Sequence, residues 1–327
     1  MRKITMREAI IEGLHEEMER DDQKVLFGED VGKFGGINAI TRGLYERFGG
    51  ERVFDTPIAE STIVGAALGM AITGLRPIPE LQFGDFVGIA FDEVFNKLGK
   101  WRYMHGGTME VPVTLRAPIG MAGGAGPEHS QSPQALFMHA PGVHIAIPST
   151  PYDAKGLLKT AIRDNNAVLF FEHKLLYDTK GEVPEAEDEY LIPLGQADVK
   201  REGSDVTIIA TALQVQTSLQ AAEKLANEGI DVEVIDPRTL APLDKETLLS
   251  SVQKTGRVLI VHEESKTGGS GAEIAAQISE EALFDLEAPV KRIGSPDVPI
   301  AQSLHLEPYY RPSEKQITDA VHELLEY

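Results

Sequence analysis

Apolar positions change their period as this chain runs, between helical spacing and the short continuous runs of buried strands. Thr5-Met6-Arg7-Glu8 forms a capping box, and Ala9, Ile10, Leu14 and Met18 follow it at helical spacing. Residues 25–30 read as a short buried strand ending in two acids, Glu29 and Asp30. Gly35 and Gly36 interrupt the chain, residues 39–48 carry a helical pattern, and the uncharged segment after Glu60 predicts a buried helix ending near Gly74. A strand is expected over 77–83, a long helix over 86–103, strands over 111–116, 143–147 and 167–172, and a helix over 153–162. Strands alternating with helices favour a parallel sheet covered on both faces.

Composition shifts over 181–190, where Glu182, Glu185, Glu187, Asp188 and Glu189 surround Pro184, the pattern of a solvated connector. A second series follows, with strands expected over 206–210, 232–235, 258–261 and 290–293. Helices over 215–227, 245–252 and 271–282 separate them, and one over 317–325 closes the chain. The expected architecture is α/β with two parallel-sheet domains: the first over 1–185, a linker over 186–200, and the second over 201–327.

The balance of 51 acidic against 31 basic residues gives a formal net charge of −20. A grip on phosphates or anionic lipid needs Lys and Arg, so neither nucleic acid nor a membrane surface is expected as a partner. The absence of cysteine removes disulfides, thiolate metal sites and thiol nucleophiles. The N-terminus has no signal-peptide apolar core and no apolar run reaches spanning length, so a cytoplasmic location is expected.

Against that background Glu60 stands out. It closes Asp55-Thr56-Pro57-Ile58-Ala59-Glu60 and opens a small, apolar, uncharged segment containing Gly65 and Gly69. A carboxylate at the mouth of such a segment is poorly solvated, which disfavours its charged form and makes its proton available for transfer. The two glycines, four apart, let another helix approach closely, although ordinary packed helices share that spacing. A glycine loop, Gly123-Gly124-Ala125-Gly126, delivers His129, which either exchanges a proton near neutral pH or bonds its own backbone. Gln82 and Phe86 flank an expected strand end, where ligands gather in open α/β sheets; Phe86 either stacks on a planar ring or belongs to the core. The turn Gly268-Gly269-Ser270-Gly271 reads as a tight strand-to-helix connection. There is no Walker motif, no His-x-x-x-His pair and no nucleophile elbow.

Taken together these segments resemble the β subunit of the E1 component of 2-oxo acid dehydrogenase complexes, which depend on thiamine diphosphate. The landmarks are Gly28-Glu29-Asp30-Val31-Gly32, the run from Asp55 to Glu60, Leu75-Arg76-Pro77-Ile78-Pro79-Glu80, His129-Ser130-Gln131-Ser132, and Val234-Ile235-Asp236-Pro237-Arg238-Thr239. The fold implied is a transketolase-like pyrimidine-binding domain followed by a transketolase C-terminal domain. The family's diphosphate-binding Gly-Asp-Gly with a downstream Asn is missing, because Gly84-Asp85 runs into Phe86. The resemblance therefore implies half an active site. An α subunit supplies the Mg²⁺ and diphosphate ligands.

The resemblance also implies roles. Glu60 bonds the cofactor's aminopyrimidine and shares a proton with it. Phe86 stacks on that ring, Ile58 and Gln82 line its pocket, Glu29 is a supporting acid, and His129 is a proton donor in acyl transfer. Main-chain oxygens of Val113, Ala161, Ile162, Asp164 and Asn166 match a K⁺ site of related chains. The assembly implied is an α₂β₂ heterotetramer that meets the subunit-binding and lipoyl domains of an E2 acyltransferase; Glu280, Glu281, Asp285 and Glu287 are either acids for that contact or, as any one of them more readily reads, a solvated face. Among acetoin, pyruvate and branched-chain 2-oxo acids, residues 101–107 and 177–184 look most like acetoin-cleaving members, whereas the missing insertion after Gly28-Glu29-Asp30 points the other way. Two other classes remain. One is a scaffold chain that has lost catalysis, and the other is a self-sufficient transketolase-like enzyme.

Overall fold

A computed structural model describes residues 1–185 and 188–327. The chain divides into two compact units, one of Met1–Ile119 with Leu136–Leu194 and the other of Gly120–Ala135 with Gly195–Tyr327. The expected linker opens on residues 186 and 187; these, including Glu187 of the acid run, lie outside the described residues.

In the first unit six parallel strands stand side by side in the order Val53–Asp55, Lys24–Gly28, Arg76–Glu80, Thr114–Ile119, Ala167–His173 and Val143–Ala146. The central strands are buried along their whole length, which is why their sequences read as continuous apolar runs. The helix Met6–Arg20 carries the expected capping box: Thr5 accepts from the Glu8 N–H while the Glu8 side chain takes the Thr5 N–H. Such a cap is worth about 1 kcal/mol. The helix buries Ala9, Ile10, Leu14 and Met18, as its spacing required.

Three expectations are corrected. The helix expected over 39–48 is reduced to Leu44–Phe48, because Ala39 and Gly43 take left-handed backbone (φ 56 and 85) and Thr41 Oγ1 donates to the Val31 carbonyl instead. The long helix expected over 86–103 is broken into Gly84–Gly88, a wide turn Glu93–Leu98 and Trp101–Met104. At its second break Gly99 donates five residues back to Val94, and a side chain there would press to 3.0 Å from the Pro141 carbonyl. Part of the expected connector is structured: Lys180–Val183 pairs antiparallel with Arg2–Thr5.

The second unit is a five-stranded sheet in the order Lys291–Ser295, Val258–Ser265, Val206–Ala210, Val232–Asp236 and Asp198–Arg201. The first four are parallel and the last is an antiparallel edge that the apolar pattern did not announce. Helices Leu213–Ala226 and Glu314–Leu325 cover one face through Val215, Ala222, Leu225, Ile317 and Val321. Among the described residues no helix is long and apolar enough to cross a membrane.

Candidate active site

Three neighbouring strands of the first unit end together. In register, Gly28 lies opposite both Asp55 and Glu80. The segments leaving these ends carry Glu29, Glu60 and Gln82, at the edge where parallel sheets collect their ligands. Two features fix the first of them. Gly28 approaches the Glu80 carbonyl so closely that a Cβ would sit 2.3 Å from it. Gly32 donates its N–H to Asp55 Oδ1 at 2.7 Å, and a Cβ there would meet that carboxylate at 2.9 Å. The landmark Gly28-Glu29-Asp30-Val31-Gly32 is thus a loop clamped to the adjacent strand, and the clamp aims Glu29.

Glu60 is the first residue of the helix Glu60–Ile72 and is 7% exposed. Glu29 is 4% exposed, and its Oε1 is buried without a hydrogen-bond partner. Burial raises the Glu29 pKa above the ordinary carboxylate value, and the neighbouring charges of Glu60 and Asp30 push in the same direction. Two acids from distant parts of the sequence are therefore brought within electrostatic reach. Gln82 donates to Asp30 Oδ2 at 3.1 Å, tying the third segment to the first. Phe86 lies half-buried in the short helix Gly84–Gly88, edge-on to Phe83 with ring centres 5.6 Å apart. Ile58 is 79% exposed, a large apolar side chain left in the open beside this edge. On the helix after Glu60, Gly65 faces the Glu93 carboxylate and Gly69 faces open space.

The orphaned Glu29 oxygen and the exposed Ile58 fit a planar, nitrogen-bearing ring seated on this edge. A buried acceptor without a donor costs about 1–3 kcal/mol, which a ligand N–H recovers.

His129 belongs to the second unit and is half-buried there. Its loop is held at several points: the Met121 N–H donates to Glu263 Oε1 at 2.5 Å, the Gly124 N–H to Glu307 Oε2 at 2.6 Å, and Arg311 donates to the Met121 carbonyl. The His129 N–H turns back to the Gly126 carbonyl at 3.4 Å. The glycines serve close approach, since a Cβ on Gly124 (φ 66) would lie 2.9 Å from the Leu304 nitrogen.

The five residues matched to a K⁺ site gather where the helix Pro151–Arg163 ends and the strands Thr114–Ile119 and Ala167–His173 begin. The carbonyls of Ile162 and Asp164 accept from the Arg76 guanidinium at 3.0 and 2.6 Å, Val113 O accepts from the Val168 N–H, and Ala161 O from the Asp164 N–H. The Asn166 N–H is itself a donor, to Asp164 Oδ1. A cationic side chain thus already serves two of the five carbonyls, each of which keeps a second lone pair. Among the described residues no cluster of three or more His, Asp or Glu side chains is placed to hold a metal ion.

The sequence reading missed a buried network beside the site. Arg116 donates to Glu172 through Nε at 2.8 Å and Nη2 at 3.0 Å and to Glu80 through Nη1 at 2.6 Å, while the Tyr177 hydroxyl donates to Glu172. Burial keeps Glu80 above the ordinary carboxylate value despite Arg116. The signal was available: a Glu and an Arg inside apolar strands, which burial tolerates only when they are paired.

Comparison with known proteins agrees with this geometry. Residues 2–180 match the transketolase pyrimidine-binding domain and residues 195–317 the transketolase C-terminal domain. The chain is 48% identical to the 2-oxoisovalerate dehydrogenase subunit beta of Bacillus subtilis, with 98% of each chain covered. It is 46% identical to that organism's acetoin:2,6-dichlorophenolindophenol oxidoreductase subunit beta, over 99% of this chain and 98% of the relative. It is also 46% identical to the pyruvate dehydrogenase E1 component subunit beta of the same organism, over the full length of both. A solved structure described as a split gene transketolase, inactive beta4 tetramer, superimposes with a TM-score of 0.81 at 27% identity, covering 99% of this chain and 98% of that one. The chain belongs to the family of E1 β subunits of thiamine diphosphate-dependent 2-oxo acid dehydrogenases, built from a transketolase pyrimidine-binding domain and a transketolase C-terminal domain.

Proposed function

We propose that this chain is the pyrimidine-binding half of an E1 enzyme that cleaves acetoin or a 2-oxo acid and passes the acyl unit to a lipoyl group on an E2 acyltransferase. The observation that carries the reading is the pair Glu29 and Glu60 at the common end of three parallel strands, with an oxygen of Glu29 buried and unsatisfied. Thiamine diphosphate, when bound, supplies a carbon nucleophile and an electron sink. Glu60 holds a proton at the cofactor's pyrimidine nitrogen. Glu29, charged only at a cost, stands beside it as the supporting acid. Phe86, Gln82 and Ile58 position the ring and exclude water from it. His129 serves as proton donor in the acyl-transfer step. Within this proposal residues 1–185 hold the pyrimidine side, 186–200 link, and 201–327 form the C-terminal domain.

The other half comes from an α subunit in an α₂β₂ assembly, which binds Mg²⁺ and the diphosphate. Gly84-Asp85-Phe86 lacks the residues for that task. The inactive tetramer of the split transketolase supports the same division of labour, and the open, uncharged face of Glu60–Ile72 around Gly69 suits a packed neighbour. The complex works in the cytoplasm.

Acetoin is the substrate favoured by residues 101–107 and 177–184, and the branched-chain 2-oxo acids are the second reading, supported by the 48% relative. The test is reconstitution with the α subunit and assay against acetoin, pyruvate and branched-chain 2-oxo acids. Acetoin should give the largest kcat/KM. A clear preference for a 2-oxo acid replaces acetoin with the second reading, and full activity of the isolated chain overturns the half-site assignment. A K⁺ ion on the carbonyls around Ile162 is proposed as structural. Exchanging Na⁺ for K⁺ should then raise the melting temperature, and equal melting in both salts removes the ion.

A further inference from the structure

The second unit holds a cleft that the proposed chemistry does not use. It measures about 590 Å³ and opens at the carboxyl ends of two adjacent parallel strands, Val258–Ser265 and Lys291–Ser295. Position alone makes it a binding candidate, because strand ends of parallel sheets are where ligands collect. Its chemistry narrows the choice. Three carboxylates line it, Glu263, Glu264 and Asp297, and among its lining residues there is no Lys, Arg or His. Asp297 is held in place by Thr267, whose hydroxyl and N–H donate to its two oxygens at 2.6 and 3.3 Å.

The observation that goes beyond an acidic lining is Ser130. It is 1% exposed, lines this cleft, and its Oγ has no hydrogen-bond partner. The Ser132 hydroxyl, from another lining residue, is likewise buried and unpaired. Buried hydroxyls ordinarily find partners, so two orphans lining one cleft mark a place where a ligand donates or accepts. Val298 and Ile300 add apolar surface to the lining. The volume suits a small organic molecule rather than a bare ion.

We propose that this cleft binds a small organic ammonium compound, with its charged nitrogen between Glu263 and Asp297, an N–H donated to Ser130, and its carbon chain against Val298 and Ile300. The cleft shares the segment of Pro127, Ser130, Gln131 and Ser132 with His129, but binding there is read without cofactor or acyl transfer, so its test stands apart from the cofactor reading.

The test uses the full-length chain with its Val and Ile methyl groups labelled, titrated with propylammonium and with 1,4-diaminobutane. Butane-1,4-diol and KCl serve as controls. Saturable shifts of the Val298 and Ile300 methyls are expected with the amines and not with the controls. Asp297→Asn, at an exposed position, should weaken amine binding about tenfold, and Ser130→Ala by several-fold, the loss of a charged partner and of one hydrogen bond respectively. Melting curves confirm that both variants are folded. Absence of saturable shifts with both amines overturns the proposal. So does an equal response to the diol, an equal response to K⁺, or undiminished affinity in Asp297→Asn.

Discussion

Two groups of buried acids sit one strand apart in the first unit, and they are built on opposite principles. Glu80 and Glu172 surround Arg116, and every one of the four Glu172 and Glu80 contacts named above is a hydrogen bond of ordinary length. Glu29 and Glu60 are also buried, yet among the described residues no cation is paired with them and one Glu29 oxygen has no donor. The first arrangement is closed: its charges are spent on each other. The second is open, with a raised pKa and an unmet acceptor at the edge where ligands arrive. A protein keeps an unsatisfied carboxylate in place only where something else completes it.

The sharpest way to break this contrast is Glu60→Gln in the reconstituted enzyme. Loss of a positioned proton-transfer group should lower kcat by about two to four orders of magnitude with little change in melting temperature. Activity within a factor of about two of the parent removes the proton role assigned to Glu60. Arg116→Met does the converse. It strands Glu172 and Glu80 in the core and should cost about 3–5 kcal/mol in a denaturant titration. A loss below about 1 kcal/mol means that the network is not the structural member of the comparison.

A third case lies in the second unit, where His262 and Glu264 approach to 3.6 Å. Burial lowers His262 to about 4 and raises Glu264 to about 7. Arg292 opposes the charging of His262, and Ser270, Ala135 and Gln134 donate to Glu264. The signs oppose. A lowered His pKa gives stability that is lost as pH falls from 6.5 towards 4, whereas a raised Glu pKa gives stability that is lost as pH rises from 4.5 towards 7. The contributions of these two groups should therefore largely offset each other between these limits. Glu264→Gln leaves the His262 contribution alone, and stability should then rise with pH by about 3 kcal/mol across that window. A flat profile in the variant shows that His262 is not held neutral by burial.

The smallest effect is expected from Glu29→Gln. Burial and the Glu60 charge raise the Glu29 pKa, so the parent loses stability as pH rises from the ordinary carboxylate range through the raised value. Removing that charge should flatten the profile and stabilise the chain slightly at neutral pH, while activity falls. Destabilisation at neutral pH would show that the Glu29 carboxylate already has the partner it lacks here.

Much of this was legible in advance where a single segment decides the outcome. The capping box at Thr5 and Glu8 formed as read, and the helix after Glu60 and the strands near 206 and 232 lie where their apolar runs placed them. The breaks were less legible. Residues 39–48 have helical spacing, but Ala39 and Gly43 turn left-handed and Thr41 donates to the Val31 carbonyl instead of a helical neighbour. Residues 180–183 look like a charged connector, yet they pair with Arg2–Thr5, a partner that no local pattern can announce.

The same division applies to the site. The sequence by itself determined the family, the alternating α/β plan, the singular setting of Glu60 and the lack of a diphosphate motif, because each is a property of contiguous residues. Only the tertiary structure decided that Glu29 stands beside Glu60, that Arg116 closes off Glu80, and that Ser130 faces a cleft with Asp297. Those relations depend on which strand ends adjoin, and strand order is set by long-range burial rather than by the spacing of neighbours along the chain.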